Sequence, residues 1–194
     1  MKLSEYQAII KPFLSEYRYK HSLNVAKEAV RLAERYGADP QKAETAGILH
    51  DIMKDADPKD QLKIMDRFGI ILTDVEKSAQ KLWHAIAGAL YIEHELGIQD
   101  REILNAVRYH TTGRAGMGLL EKVIFIADFT SAERDYNGVE DMRRAADISL
   151  ENAMLAGVTF TIKDLASRGK PIHPDSLATY NWVILGNDKK ASQK

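Results

Sequence analysis

The sequence predicts an all-α helical bundle, and three observations carry that reading. Apolar residues recur at helical spacing along most of the chain. Asp-Pro pairs, Asp39-Pro40 and Asp57-Pro58, open segments that Gly37, Gly69 and Gly97 separate or close. No stretch alternates apolar and polar residues between turn signals, as a half-buried strand would. With 194 residues, 45% hydrophobic and 28% charged, the chain can bury one substantial core. No repeat, low-complexity linker or shift in composition marks a boundary. The expectation is a single domain over 1–194: a central part over about 18–130, C-terminal helices over 140–186 packing on it, and a frayed tail at 187–194.

Taken in order, the first clear helix follows His21, with Leu23, Ala26, Val30 and Ala33 on one stripe and Gly37 as a left-handed cap. Asp39 caps the next, where Ala43, Ala46, Gly47 and His50 share a face and Asp51 lies over Gly47. Asp57-Pro58 opens a helix carrying Leu62 and Met65. Thr73 and Glu76 form a capping box before a stripe of Ala85, Ala89, Ile92 and Leu96, with His84 at the start of that helix. Asp100 caps a helix with Ile103, Ala106, Val107 and His110 at i, i+3, i+4 and i+7. A polar loop, TTGRAGMG, separates it from a helix carrying Leu120, Val123, Ile124, Ala127 and Asp128. The stretch TSAERDYNGVED reads as a loop. A long helix from about Ile148 to Ser167 and a last one through Trp182 complete the bundle.

The net charge of −1 and a pI near 6.6 give no overall basic field, so neither nucleic acid nor an anionic membrane surface is an expected partner. Local charge from Lys54, Arg114 or Arg134 suffices for a small anion. There is no cysteine, which excludes disulfides and thiolate metal sites and fits a reducing compartment. The segment MKLSEYQAIIKPF has no uninterrupted apolar stretch, so the expected location is the cytoplasm.

What stands out is where imidazoles and carboxylates fall. His21, the pair His50-Asp51, His84, His110 and Asp128 each sit on or at the end of an inward-facing stripe. Any one of these histidines alone reads as a surface residue or a satisfied core residue. Asp128, however, follows Val123–Ala127, too apolar for a solvated helix face, and His50-Asp51 ends a buried run. Buried carboxylates and imidazoles require partners, and a metal held between helices supplies them. His94, beside Glu93 and Glu95, reads as surface; Trp83 and Trp182 read as core. Arg18 and Tyr19 precede His21, where they would line the mouth of the site, and no pattern assigns them more than that.

A histidine, then a His-Asp pair at a helix end, then a later aspartate resembles the HD-domain metal-dependent phosphohydrolases. The blocks HSLNVAKEA, AGILHDIMKD, HAIAGA, VRYHTTGR, IFIADFTSAERD and IHPDSLATYN are similar to those of its YqeK-type members, the symmetrical bis(5'-nucleosyl)-tetraphosphatases. The resemblance implies an HD-domain helical bundle whose central part, 18–130, is a metal-binding core. It implies His21, His50, Asp51 and Asp128 as ligands of one metal, with Asp51 bridging to a second held by His84 and His110. Iron is the implied cofactor, with manganese or cobalt as substitutes. The implied reaction splits diadenosine tetraphosphate, or a related dinucleoside polyphosphate, into two ADP, with ADP or GDP as product-like ligands. The metals would acidify a water and neutralise phosphate oxygens.

On this reading Asp51 is catalytic through the metals, Lys54 binds phosphate, and Asp55 orients water or a metal ligand. Thr111, Arg134 and His173 join His21, Lys54, Asp55, His84, His110 and Asp128 in the nucleotide site. The chain departs from the family pattern at Ser131-Ala132-Glu133, where members commonly show Glu-Pro ahead of the arginine. Rival readings are a non-catalytic nucleotide sensor, a phosphohydrolase acting on another nucleotide, and a structural bundle; a homodimer is compatible with all of them.

Overall fold

The computed structural model describes residues 3–186, and among these every regular element is helical. The tail expected at 187–194 lies outside the described residues. Helix α1 (Leu3–Ile10), unmarked in the sequence reading, buries Tyr6 and Ile10. Helix α2 (Glu16–Tyr36) begins before His21, because the Ser15 hydroxyl accepts from the Arg18 N–H and caps it. His21 therefore sits in the second turn of a formed helix, where its ring is fixed. The helix ends at Gly37, whose φ of 80° is the left-handed conformation a side chain would resist.

Helix α3 (Pro40–Leu49) starts as expected, with the Asp39 carboxylate accepting from the N–H groups of Gln41 and Lys42. It packs closely on α2. A Cβ on Gly47 would lie 2.8 Å from Ala26 Cα, so these two helices meet backbone to backbone. The chain then turns through residues 50–56 and enters α4 (Pro58–Arg67).

The Thr73–Glu76 capping box is present, yet it opens only a single turn, α5 (Asp74–Ser78). The backbone leaves the helical conformation at Ala79 (φ −121°, ψ 69°), passes through a 3₁₀ turn (Gln80–Leu82), and restarts as α6 (Trp83–His94). The Trp83 indole N–H donates to the Glu76 carbonyl at 2.7 Å, and that carbonyl also accepts from the Ala79 N–H at 3.2 Å, so the indole adds a second donor where a continuous helix would have used the next turn. His84 thus stands in the first turn of its own helix.

Helix α7 (Arg101–Tyr109) is capped by Asp100, and α8 (Leu119–Thr130) carries Asp128 in its last turn. A second difference follows. Residues 139–148 form α9 (Val139–Ile148), where a loop was expected at its start; its buried face is only Val139, Met142 and Ala146, between charged neighbours. Ser149 is extended and caps α10 (Leu150–Ser167) by accepting from the Asn152 N–H, so the long helix begins two residues later than read. Helix α11 (Pro174–Ile184) closes the bundle.

Two apolar cores result. One joins α2, α3, α7, α8, α9 and α10 around Leu32, Ile124, Phe125 and Met154; the other joins α1, α3, α4, α6 and α7 around Ile10, Ile48, Ile52, Met65 and Ile92. Helices α3 and α8 pack on each other and on both α2 and α7, and α6 packs on α7. Where the ends of α3, α7 and α8 meet the starts of α2 and α6, polar side chains replace the apolar ones.

Candidate metal centre

Five helices bring the imidazoles and carboxylates together. His21 comes from α2, His50 and Asp51 from the end of α3, His84 from the start of α6, His110 from the end of α7 and Asp128 from α8. His21 and His50 are fully buried, and Asp51, His84 and His110 nearly so. Every metal ligand expected from the sequence lies in this one cluster.

Asp51 is its centre, and its two oxygens face different groups. Oδ2 lies 3.8 Å from His21 Nε2 and 3.6 Å from His50 Nε2. Asp128 Oδ1 joins that side, 3.0 Å from His21 Nε2 and 4.0 Å from His50 Nε2. Oδ1 of Asp51 faces the other pair, 3.1 Å from His84 Nε2 and 3.6 Å from His110 Nε2. The ligand atoms of His21, His50 and Asp51 fall within 4.8 Å of one another, and so do those of Asp51, His84 and His110.

Hydrogen bonds fix which ring nitrogens are free. His50 Nδ1–H donates to the Gly47 carbonyl and His110 Nδ1–H to the Val107 carbonyl, both at 2.7 Å. His21 Nδ1–H donates to the Glu133 carboxylate. With Nδ1 so engaged, each of these rings turns its Nε2 inward. The Nε2 atoms of His21 and His50 stand 3.2 Å apart and those of His84 and His110 3.1 Å apart, and His21 Nε2 also lies 3.0 Å from Asp128 Oδ1. Imidazole nitrogens this close repel unless a proton or a cation lies between them. Asp51 Oδ1 is buried without a hydrogen bond of good geometry, a second mark of a cation position. Six nitrogen and oxygen donors without sulfur fit a divalent metal.

Electrostatics agree with that assignment at His50 and His84 and run the other way at His21. Burial drives the pKa of His50 down to about 3 and that of His84 to about 4, keeping both neutral at pH 7. Burial lowers His21 too, but hydrogen bonds to Asp128 and Glu133 win and raise it. Burial pushes the carboxyls of Asp51 and Asp128 up. The imidazoles around Asp51 together with Lys54, and His21 with Arg134 beside Asp128, outweigh it and hold both well below the usual carboxylate range.

Lys54 and Arg134, expected to touch nucleotide, also reach the cluster. Lys54 Nζ stands 3.1 Å from His84 Nε2 and 3.7 Å from Asp51 Oδ1, and its desolvation lowers its pKa despite Asp51. Arg134 pairs with the Asp128 side chain and donates through Nε to the Asp128 carbonyl at 2.6 Å. Two members had no role in the sequence reading, which placed Arg18 only at the mouth of the site and noted Glu133 only as a departure from the family pattern. Arg18 Nη1 lies 3.2 Å from Asp51 Oδ2, and Glu133 holds His21. Arg18 stands three residues, under one helical turn, before His21, a spacing that places both on one helix face once the start of α2 is known.

Three expected residues lie elsewhere. Asp55 is exposed and accepts from both the N–H and the hydroxyl of Ser15, at 2.8 and 2.7 Å; it anchors the start of α2 rather than a water at the cluster. Thr111 and His173 line a cavity of about 360 Å³ with Lys81, Arg168 and Lys170. The Thr111 hydroxyl is buried without a partner, and His173 Nε2 is 3.6 Å from the Glu76 carboxylate. His94 is exposed, as the sequence reading had it, and stacks on Phe68 with ring centroids 3.7 Å apart.

An all-α bundle that focuses four histidines and two aspartates on one point defines the HD class, and the HD domain family matches residues 18–133. The chain is 43% identical over 177 residues to the symmetrical bis(5'-nucleosyl)-tetraphosphatase of Halalkalibacterium halodurans, covering 91% of this chain and 94% of that one. It is 40% identical to the Bacillus subtilis protein of the same name, covering 96% and 100%. A solved structure from Clostridium acetobutylicum, described as a predicted HD superfamily hydrolase involved in NAD metabolism, superposes with a TM-score of 0.91. It is 37% identical and covers 95% of this chain and 97% of its own. The chain belongs to the HD-domain family and, within it, to the group these tetraphosphatases represent. No helix among the described residues is long and apolar enough to cross a membrane.

Proposed function

We propose that this protein is a metal-dependent hydrolase that splits diadenosine tetraphosphate, and related dinucleoside polyphosphates, at the middle. One water adds at an inner phosphorus, the central P–O–P bridge breaks, and two ADP leave. The observation that carries the chemistry is Asp51, one carboxylate between two groups of inward-facing imidazoles. The substrate follows from the relatives named symmetrical bis(5'-nucleosyl)-tetraphosphatase.

His21, His50, Asp51 and Asp128 would hold one divalent cation and Asp51, His84 and His110 a second, with iron as the resident ion and manganese or cobalt as substitutes. Bound there, the cations neutralise phosphate oxygens and lower the pKa of the attacking water. The chain's own residues supply the rest. Lys54, partly exposed beside Asp51, places an ammonium where the central phosphates arrive. Arg18 and Arg134 add positive charge on the opposite side, next to Asp51 and Asp128. Thr111, which follows directly on His110 in the chain, lines a separate cavity. Its free hydroxyl, with His173 and the cations Lys81, Arg168 and Lys170 around it, suits a nucleoside phosphate half, and ADP or GDP would rest there as product.

The test is chromatography of the products formed from diadenosine tetraphosphate by anaerobically purified protein given iron or manganese, before and after chelation. ADP alone, dependent on metal, is the expected outcome. AMP with ATP would place the attack at another phosphorus, and tight nucleotide binding without turnover would make the protein a sensor.

A further inference from the structure

Each imidazole whose Nδ1 partner is resolved in the cluster donates to oxygen, but the oxygens differ in kind. His50 and His110 donate to main-chain carbonyls of their own helices, Gly47 and Val107. His21 alone donates to a carboxylate, that of Glu133, from a loop more than a hundred residues away in sequence. Glu133 is itself held on both oxygens. The Ser131 hydroxyl donates to Oε1 at 2.7 Å and the Asn24 amide to Oε2 at 2.7 Å. The loop that carries it is pinned by Arg143 of α9, which donates to the carbonyls of Thr130, Ser131 and Arg134 at 3.2, 3.0 and 3.1 Å. The next residue, Arg134, grips Asp128. Adjacent residues of one clamped loop therefore orient two of the proposed ligands, His21 and Asp128, and neither touches His84 or His110.

We propose that Glu133 is a positioning residue for the His21 side of the centre: it fixes the ring with Nε2 inward and, by its negative charge, makes that nitrogen the stronger donor. The inference rests on the two-cation reading above. A carboxylate behind a ligating imidazole raises ligand basicity more than a carbonyl does, and losing such a partner typically weakens metal binding by ~10–100-fold. The consequence is an inequality between the two positions. The cation held by His21, His50 and Asp128 is bound more tightly than the one held by His84 and His110, and the difference depends on Glu133.

Manganese titration of chelator-stripped protein, followed by the spin-resonance signal of free manganese, tests this without reference to turnover. Wild type should bind two ions with distinct affinities. Glu133→Gln keeps an acceptor but removes the charge, and should weaken the tighter ion by ~10–100-fold while leaving the other within about threefold. Glu133→Asp, with charge restored on a shorter arm, should recover part of the loss. Unfolding of the stripped proteins checks the loop. Unchanged affinities in Glu133→Gln would overturn the proposal. So would equal weakening of both ions together with a lowered unfolding midpoint, which would make Glu133 a structural prop. If wild type itself bound no manganese, the two-cation reading would fail, independently of Glu133.

Discussion

Asp51 offers one oxygen to His21 and His50 and the other to His84 and His110, and so stands between the two halves of the centre, which also approach each other where the ligand atoms of His50, His110 and Asp128 fall within 4.8 Å of one another. Asp51→Asn keeps the volume and removes the charge. It should lower cation affinity and hydrolysis by more than ~100-fold, beyond the cost of losing an outer partner, as measured by metal analysis and product release. Lys54→Met should behave differently, lowering kcat/KM by ~10–100-fold, the value of a charge-assisted hydrogen bond to phosphate, with metal content unchanged. Asp55 marks a limit of the sequence. Its place one turn after Asp51 suggests the same chemistry, but the bend of residues 50–56 carries it out to Ser15. Asp55→Ala should accordingly cost ~0.5–2 kcal/mol in a urea melt, as loss of a helix-end anchor does, and leave hydrolysis within about threefold. A hundredfold loss of turnover would return Asp55 to the catalytic machinery.

At the scale of elements, the ligands meet because α2 and α3 pack without side chains between them at Gly47. Gly47→Ala forces a Cβ to 2.8 Å from Ala26 Cα and should destabilise by ~1–3 kcal/mol in urea unfolding. An unchanged midpoint would mean the helices separate freely. The polar cluster was legible in the sequence because His50-Asp51, His110 and Asp128 end apolar stripes and His21 and His84 stand at the start of them, whereas the division into two ligand sets came from the family resemblance. The caps at Asp39, Thr73 and Asp100 were legible for a similar reason, being local hydrogen-bond chemistry. What stayed hidden depends on tertiary partners. The break at Ala79 is stabilised by Trp83 reaching back to Glu76, and the three-residue face of α9 acquires meaning only against its neighbours. Glu133 was visible only as a departure from the family pattern, since nothing in its spacing points to His21.

Over the whole molecule, the buried titratable groups tie stability to pH. His50 and His84 have folded pKa values near 3 and 4 against 6.5 for a free imidazole, so the unfolded chain takes up protons first as pH falls. Their contribution is complete above about pH 6.5 and is lost progressively below it. His21 is raised and acts in the opposite direction, contributing below pH 6.5 and fading as pH rises through its folded value. Glu133, held near 2 by hydrogen bonds from His21 and Ser131 that outweigh its burial, matters only below about pH 4.5. Two large downward shifts against one upward give the sign. Chelator-treated protein should unfold at lower urea at pH 5 than at pH 7, and a higher midpoint at pH 5 would contradict the neutral burial of His50 and His84.

The central claim is that one carboxylate joins two cation positions, and manganese loading followed by low-temperature spin resonance tests it most directly. Two ions per chain with an exchange-coupled spectrum, collapsing to at most one uncoupled ion in Asp51→Asn, is the predicted result. A single uncoupled ion in wild type, unaffected by replacing His84 or His110, would contradict it.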